Sequence, residues 1–329
     1  MAVVHPGLKK IIFKRFLYIT FWHVSIQTLA LQLIASVDFT ERPVLWLITW
    51  LGNLLKLRFF AIALFQSILS IVFILTESIQ YLKVSPYENI TRIRYICQKL
   101  SPNNVTWFMV YFLRGILTVI VFFIALKNYF VYPTEKADIK TSNTTVTETI
   151  IILINNSIWI NVLFFLHDCI YQKSFRYFSL IQHNYSLTMP TMLATTKNVS
   201  VKSVYYCFIF IVFYLLRGFS ICNFLCYLFS VSANISYSTI FSPYILFCLW
   251  LLNAYFLFNI VILKLLFDIF LVSKVEFPIV ADAQSPQSNS FVMKDALSTY
   301  NVPLLQYLGY YDLNIVSQFD KKRRMEIFT

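Results

Sequence analysis

Six apolar runs, each about as long as a bilayer is thick, leave this chain little choice of fold. They occupy residues 16–37, 59–80, 105–126, 149–168, 204–231 and 243–272. A helix of about 20 apolar residues crosses the hydrocarbon layer. Inside that layer every backbone donor and acceptor must be paired within the protein, so only helices and closed barrels span it. The alternating polar–apolar pattern of barrel strands is absent from these runs. The expected fold class is therefore all-α: a polytopic membrane protein with six transmembrane helices. The composition agrees, with 58% hydrophobic and 13% charged residues where a soluble globule carries about 25% charged residues. The 33 Phe and 21 Tyr suit interfacial belts and packed membrane helices.

The first 15 residues carry Lys9, Lys10, Lys14 and Arg15. The apolar run that follows is too long for a signal-peptide core and no small-residue cleavage site closes it, so it reads as a retained signal anchor. Residues 43–55 are apolar and hold Trp46 and Trp50, but Lys56 and Arg58 end the run too early to span. That segment is expected in the interface, with its indole rings at headgroup depth. Were it to span, the count would be seven and the chain would look receptor-like. With six spans both termini share a side. Eighteen Lys and Arg fall on that side and six on the other, so both termini are expected in the cytosol. The formal charge of +12 is spread among loops, which sets membrane orientation more naturally than it binds nucleic acid; no direct nucleic-acid contact is expected. Seven N-x-S/T sequons fall on both sides and one lies inside a span. Asn143 is the best-placed luminal acceptor for a glycan.

Two charges sit deep in the spans, Arg114 in the third and Arg217 in the fifth. Each costs roughly 2.5–3.5 kcal/mol at the centre of a helix, which the surrounding apolar residues offset. Their settings match: Tyr111-Phe112-Leu113-Arg114-Gly115 and Tyr214-Leu215-Leu216-Arg217-Gly218. One reading is an Arg lining a polar path. The other is structural: an Arg that pairs within the bundle or snorkels towards headgroups. Glu77 and Asp168 are the candidate partners. The structural reading is preferred, because a transport path would show more ionisable groups at mid-depth and helices broken by paired Gly or Pro, and the chain has five Gly in all. On that reading Arg217→Leu would leave insertion intact and weaken folding.

Lys264 and Asp268 stand four apart at the end of the sixth span and read as a solvated helical pair. His167-Asp168 resembles half of a catalytic pair, yet polar residues at a span terminus explain it as well, and no nucleophile accompanies it at a recognisable spacing. The six Cys form no CxxC pair and read as buried reduced thiols. No metal, nucleotide or cofactor motif occurs, so neither a catalytic nor a cofactor site is assigned.

Residues 273–300 are rich in Pro, Ser, Asn and Gln, carry no helical stripe and read as a linker. The tail, 301–329, begins with Asn301 as N-cap and Pro303 in the first turn. Leu304, Leu308, Tyr311, Ile315 and Phe319 build one apolar face, with Asp312, Asn314 and Gln318 off it. This short amphipathic helix is expected to dock on the bundle, the membrane surface or a following domain. The run Lys321-Lys322-Arg323-Arg324 reads first as a solvated helix end, with anionic lipid and a nuclear-import-like cluster as the other readings.

Six spans with cytosolic ends, the segment V-E-F-P-I-V at 275–280, a linker, and then Q-Y-L-G-Y-Y-D-L-N-I-V-S-Q-F-D-K-K-R-R-M-E-I-F closely resemble the Ndc-type transmembrane nucleoporins. The specific part is carried by Asp312, Leu313, Ser317, Gln318, Arg323, Arg324, Glu326, Ile327 and Phe328. The Arg217 context and the short luminal loop after it also look similar. The resemblance implies an integral protein of the membrane where inner and outer nuclear membranes fuse, inserted through the endoplasmic reticulum. It implies a non-enzymatic anchor that helps the nuclear pore complex assemble and supports mRNA and protein transport. The implied partners are the nuclear-envelope bilayer, inner-ring membrane-binding nucleoporins, an aladin-type WD-repeat nucleoporin and other pore-membrane proteins. Family members carry a large cytosolic helical domain after this motif, and the sequence stops at Thr329, so 301–329 is expected to be the start of a truncated cytosolic region.

Two other classes fit a chain of this composition. One is a polytopic chemoreceptor or channel of insect type, which is similarly aromatic-rich and would need a seventh crossing or opposite-sided termini. The other is a membrane-embedded lipid enzyme using His167 and Asp168.

Overall fold

A computed structural model describes residues 6–36, 48, 51–52, 57–82, 102–131, 139–171, 189–228, 239–271, 273, 275–279, 292–298 and 303–328. Helix α1 covers Pro6–Ser36, α2 Leu57–Leu82, α3 Pro102–Val131 and α4 Ile139–Tyr171. Helix α5 runs over Met189–Phe213, widens into a π turn at Tyr214–Gly218 and resumes over Phe219–Leu228. A 3₁₀ turn at Thr239–Phe241 leads into α6, which runs over Pro243–Leu266 and closes with a π turn at Phe267–Leu271. Three shorter helices follow: α7 Met293–Ser298, α8 Pro303–Gln318 and α9 Lys321–Phe328. Among the described residues there is no strand, and the fold is all-α.

Six of these helices are long and apolar enough to cross a membrane, over Ile12–Ile34, Phe59–Ser78, Val105–Ala125, Glu148–Leu166, Lys197–Tyr227 and Pro243–Leu271. They coincide with the six runs legible in the sequence. Of residues 43–55, read as an interfacial segment, only 48, 51 and 52 are described; they are helical and exposed.

Helix α6 is the centre of the bundle. It packs against α1, α2, α3, α4 and α5, and 61% of its span is buried inside the protein. Helix α5 is the outermost, with 22% of its span buried. Polar side chains are set into an otherwise apolar interior, and the outer surface of the spans is apolar. His23, Gln66, Ser70, Arg114, Asn156, Asn161, Asn253 and Asn259 are buried, while Phe21, Leu64, Met109, Phe208 and Phe224 face out. Lipid tails are as apolar as Leu, so burying Leu gives no hydrophobic gain between membrane helices; close packing and interhelical hydrogen bonds bind them instead. The aromatic residues supply much of the close packing, as in Trp159 stacked on Phe213 with ring centroids 3.6 Å apart and the edge-to-face pair Phe164–Phe256 at 5.3 Å.

The start of α1 and the end of α6 lie at the same end of the bundle. Arg15 donates from Nη1 to Leu271 O (2.6 Å) and from Nη2 to Ser273 O (2.8 Å). It thereby satisfies carbonyls that the ending helix leaves unpaired, at the negative end of that helix's dipole. The tail packs at this same end.

Candidate functional site

Asn residues on two helices, α4 and α6, order the bundle interior. Asn156 Nδ2 on α4 donates to Asn253 Oδ1 on α6 (2.7 Å), and Asn253 Nδ2 donates to Cys207 Sγ on α5 (3.2 Å). Asn155 Nδ2 donates to Gly218 O and to Cys222 Sγ, both at 3.3 Å. A second network joins α1, α2 and α6. His23 Nδ1 lies 2.8 Å from Ser70 Oγ and its Nε2 lies 3.1 Å from Asn259 O. Gln66 donates to Asn259 Oδ1 (3.2 Å) and accepts from the Tyr255 hydroxyl (2.5 Å). Neither network was singled out in the sequence, although an Asn-Asn-Ser triplet in mid-span is itself a signal. Because Asn155 is the sequon inside that span and is buried, its role is packing.

Arg114 is fully buried at the centre of a third cluster. Its Nε donates to Asn161 Oδ1 (2.7 Å) and its Nη1 to Thr76 Oγ1 (3.1 Å). Glu77 Oε1 is 3.6 Å from Nη1, and Glu77 Oε2 is 3.5 Å from Lys264 Nζ. One carboxylate therefore bridges two cations on α3 and α6. The guanidinium carbon also lies 4.3 Å from the Tyr111 ring centroid, 4.8 Å from that of Phe73 and 5.2 Å from that of Phe256. These ring faces attract the cation where its Nη2 has no hydrogen-bond partner. Of the two candidate partners, Glu77 meets Arg114; the side chains of Asp168 and His167 lie outside those described. Lys264 was expected to be a solvated partner of Asp268; its ammonium instead reaches Glu77.

Arg217 does not share the environment of Arg114. It is exposed on the outer face of α5, and no described residue hydrogen-bonds or ion-pairs with it, so it makes no pair within the bundle. The two matching pentapeptides diverge at this one side chain. In the regular helix α3, Arg114 returns to the buried face of Tyr111, since three residues complete most of an α-helical turn. In α5 the same stretch forms the π turn, with the Phe219 amide donating to Tyr214 O. That turn is wider, so a side chain three residues on falls short of the buried face. The glycine of each motif remains buried, Gly115 against Ser157 and Asn161 and Gly218 against Asn155.

At the tail end of the bundle two of the motif residues, Asp312 and Arg323, form a clamp. Asp312 on α8 is fully buried. Its Oδ2 accepts from the Phe277 amide (2.8 Å) and from Arg323 Nη2 (2.8 Å), and its Oδ1 accepts from Arg323 Nη1 (3.1 Å). Arg323 Nη2 also donates to Phe277 O (2.6 Å). The fork of one guanidinium thus joins α8, α9 and the 275–279 segment that leaves α6, a geometry for which Arg is better suited than Lys. The pairing raises the Arg323 pKa above its usual value, the hydrogen bond to Asp312 contributing most. Phe277 is buried, and it encloses a small apolar gap with Ile12, Leu271, Leu304, Leu305 and Leu308. Helix α8 therefore docks on the base of the bundle.

Several tail expectations change. Asp312 lies on the buried face, not off it, because a carboxylate with three donors is satisfied there. Phe319 was placed on the apolar face and is 80% exposed, since α8 stops at Gln318 and the chain turns before α9. The basic run is not simply solvated: Arg323 belongs to the clamp, and Arg324 Nη1 donates to Ser317 O (2.9 Å). Lys321 and Lys322 are exposed. Ser317 and Gln318 are exposed and bond locally to Asn314. Leu313 packs against the core, Glu326 is exposed, and the side chains of Ile327 and Phe328 lie outside those described. The stretch read as a linker contains α7, whose Met293 and Ala296 are buried; Met293 N–H donates to Pro278 O (3.0 Å), and a Cβ on Gly309 of α8 would come 3.1 Å from Ala296 Cβ. Asn143, expected in a luminal loop, has its backbone inside α4, and its side chain lies outside those described.

Among the described residues no group of three His, Cys, Asp or Glu side chains is placed to hold a metal ion. Cys207, Cys222, Cys226 and Cys248 are buried free thiols. The arrangement is a membrane bundle with a polar seam and a rigidly held tail. No curated protein matches the chain. Residues 10–329 match the family described as nucleoporin protein Ndc1-Nup, a match that takes in all six spans, the 275–279 segment and the whole tail motif, and the chain belongs to that family of transmembrane nucleoporins of the nuclear pore.

Proposed function

We propose that this protein is an integral anchor of the pore membrane, holding the nuclear pore complex scaffold to the nuclear envelope and helping it assemble. The observation that carries this reading is the clamp between Asp312, Arg323 and the Phe277 backbone. It fixes α8 and α9 against the base of the membrane bundle. A force on the tail is then passed to the six spans rather than taken up in a loose tether. The tail still presents Tyr310, Phe319 and Met325 beside Lys321, Lys322 and Arg324 as an exposed surface. In this reading both termini face the cytosol and the chain is inserted through the endoplasmic reticulum. The partners are scaffold proteins: inner-ring membrane-binding nucleoporins, an aladin-type WD-repeat nucleoporin and other pore-membrane proteins. The role is structural rather than catalytic and serves mRNA and protein transport indirectly.

The test is localisation of a fluorescently tagged chain with glycosylation tags in each connecting segment. A punctate nuclear rim and unmodified terminal tags are expected. Plasma-membrane signal, or termini on opposite sides, would overturn the reading and favour a receptor or channel. Deleting 301–329 should leave six crossings in place and reduce rim recruitment.

A further inference from the structure

We propose that the outer face of α5 around Arg217 is an intramembrane docking surface for a transmembrane helix of a second protein that carries a carboxylate at mid-depth. Three observations meet there. First, α5 is the span least covered by its own bundle. Its exposed face carries Tyr205, Phe208, Val212, Leu216, Phe224 and Tyr227 in one helical stripe. Second, a guanidinium stands in the middle of that stripe with no hydrogen bond or ion pair to a described residue. Third, it is placed there by a π turn, a rare distortion that recurs at functional sites.

Snorkelling does not resolve the charge. Arg217 lies 13 residues beyond Val204, about 20 Å along the helix axis, which leaves the far surface of a hydrocarbon layer of about 30 Å the nearer one. Side chains on a helix tilt towards its N-terminus. The Cα–Cβ bond of Arg217 therefore tilts back into the bilayer, so that reaching the nearer surface means turning the side chain against that tilt. Intramembrane cations pair with acids or with backbone carbonyls on protein neighbours.

The occupant is a different protein rather than a second copy. Among the described residues of the spans the carboxylates are Glu77, Glu148 and Asp268. Glu77 is buried and already bridges Arg114 and Lys264. Glu148 and Asp268 stand at the ends of their spans, out of register with a mid-span Arg217. A second copy would thus bring a second Arg217 and no acid to meet it. This inference goes beyond the anchor reading and does not depend on it, since it concerns the lipid-facing side of the bundle.

The full chain, labelled with a donor fluorophore and reconstituted in phosphatidylcholine vesicles, is titrated with acceptor-labelled leucine–alanine transmembrane peptides. One peptide carries a single central Glu and its twin a central Gln. Energy transfer should show the Glu peptide associating about tenfold more tightly than its twin. Arg217→Gln should bring that ratio to about one and Arg217→Lys should keep most of it, with the melting temperature of the chain unchanged in both. A ratio near one for the unsubstituted chain, or a ratio that survives Arg217→Gln, would overturn the proposal. Self-association that depends on Arg217 would assign the face to a second copy. Loss of the Glu preference in phosphatidylserine vesicles would assign Arg217 to lipid headgroups. A fall in melting temperature on Arg217→Gln would return the residue to the bundle. The assay reads association in vesicles, so its failure is distinct from a failure to reach the nuclear rim.

Discussion

The Asp312 carboxylate and the Arg323 guanidinium meet across eleven residues of sequence through two hydrogen bonds, 3.1 and 2.8 Å long. The same two side chains hold both the amide and the carbonyl of Phe277. Three stretches of the tail region that look unrelated in the sequence are therefore one unit. Two of the nine motif residues, Asp312 and Arg323, thus hold α8 and α9 against the segment that follows α6.

Asp312→Ala should lower the apparent stability of the tail by about 2–4 kcal/mol, because it removes a charged acceptor and strands a partly buried cation. Limited proteolysis in detergent should then cut within 299–329 well before it reaches the spans. Arg323→Lys should retain part of the stability, since an ammonium cannot span both carboxylate oxygens in the same plane. Equal protease resistance of Asp312→Ala and the parent chain would show that the clamp does not hold the tail.

Arg114 and Glu77 should couple strongly. Removing one member of a buried pair leaves the other uncompensated, at a cost of about 3–5 kcal/mol. Arg114→Leu is therefore expected to lower the melting temperature in micelles markedly, and adding Glu77→Gln should restore part of the loss. The restoration should be incomplete, because Lys264 then loses its carboxylate. A double-mutant cycle measures the coupling. Additive losses would mean that the two side chains do not work as a pair.

The six spans were plain in the sequence because hydrophobic length is a local property that lipid rewards directly. The inward orientation of Arg114 was open, and Glu77 was only one of two candidates, because pairing depends on which helix faces which. Arg217 was harder still: its pentapeptide matches that of Arg114, and only the π turn separates them. The clamp was misread for a different reason. The apolar face was drawn by residue type, which leaves an Asp out although Asp312 stands four residues after Leu308 and so shares its face, and nothing in the local pattern shows that Phe277 and Arg323 will arrive to satisfy it. The Asn ladder of α4 was visible as letters, yet one of its members was read only as a sequon.

The two motif glycines should respond differently to alanine. A Cβ at Gly115 would come 3.2 Å from Ser157 O and 3.3 Å from Ile158 Cα, both backbone atoms of α4. Neither can move without shifting a whole helix. At Gly218 the nearest atoms are Asn155 Nδ2 and Tyr214 Cβ and Cδ2, each at 3.3 Å; no backbone atom of a neighbouring helix is among them, and a shift of a few tenths of an ångström in the Asn155 amide and within α5 itself makes the room. Replacing a helical glycine gains about 1 kcal/mol of propensity, against about 1–3 kcal/mol for overpacking. Gly115→Ala should therefore be clearly destabilising and Gly218→Ala close to neutral. Thermal melts of the two variants in the same micelles decide it, and an equal response would show that α3 and α4 are less closely held than the structure has them.

Arg15 carries two roles that one pair of variants separates. In the proposed topology it is one of eighteen basic residues on the cytosolic side and contributes to orientation only as part of a sum. As the donor to Leu271 O and Ser273 O it occupies a specific place that no other described residue fills. Lys14 is its neighbour, is exposed, and lies 6.0 Å from the Tyr18 ring centroid. Arg15→Gln and Lys14→Gln remove the same charge from the same short segment, so glycosylation tags should report the same topology for both. Only Arg15→Gln leaves carbonyls at the end of α6 without their charged donor, a loss of about 1.5–3 kcal/mol for a hydrogen-bonded charge. Its melting temperature should fall while that of Lys14→Gln stays at the parent value. Because Ser273 leads directly into the 275–279 segment, the tail should also become protease-sensitive in Arg15→Gln. If both variants melted alike, Arg15 would act on orientation alone, and the joint between α1, α6 and the tail would rest on the apolar contacts around Phe277.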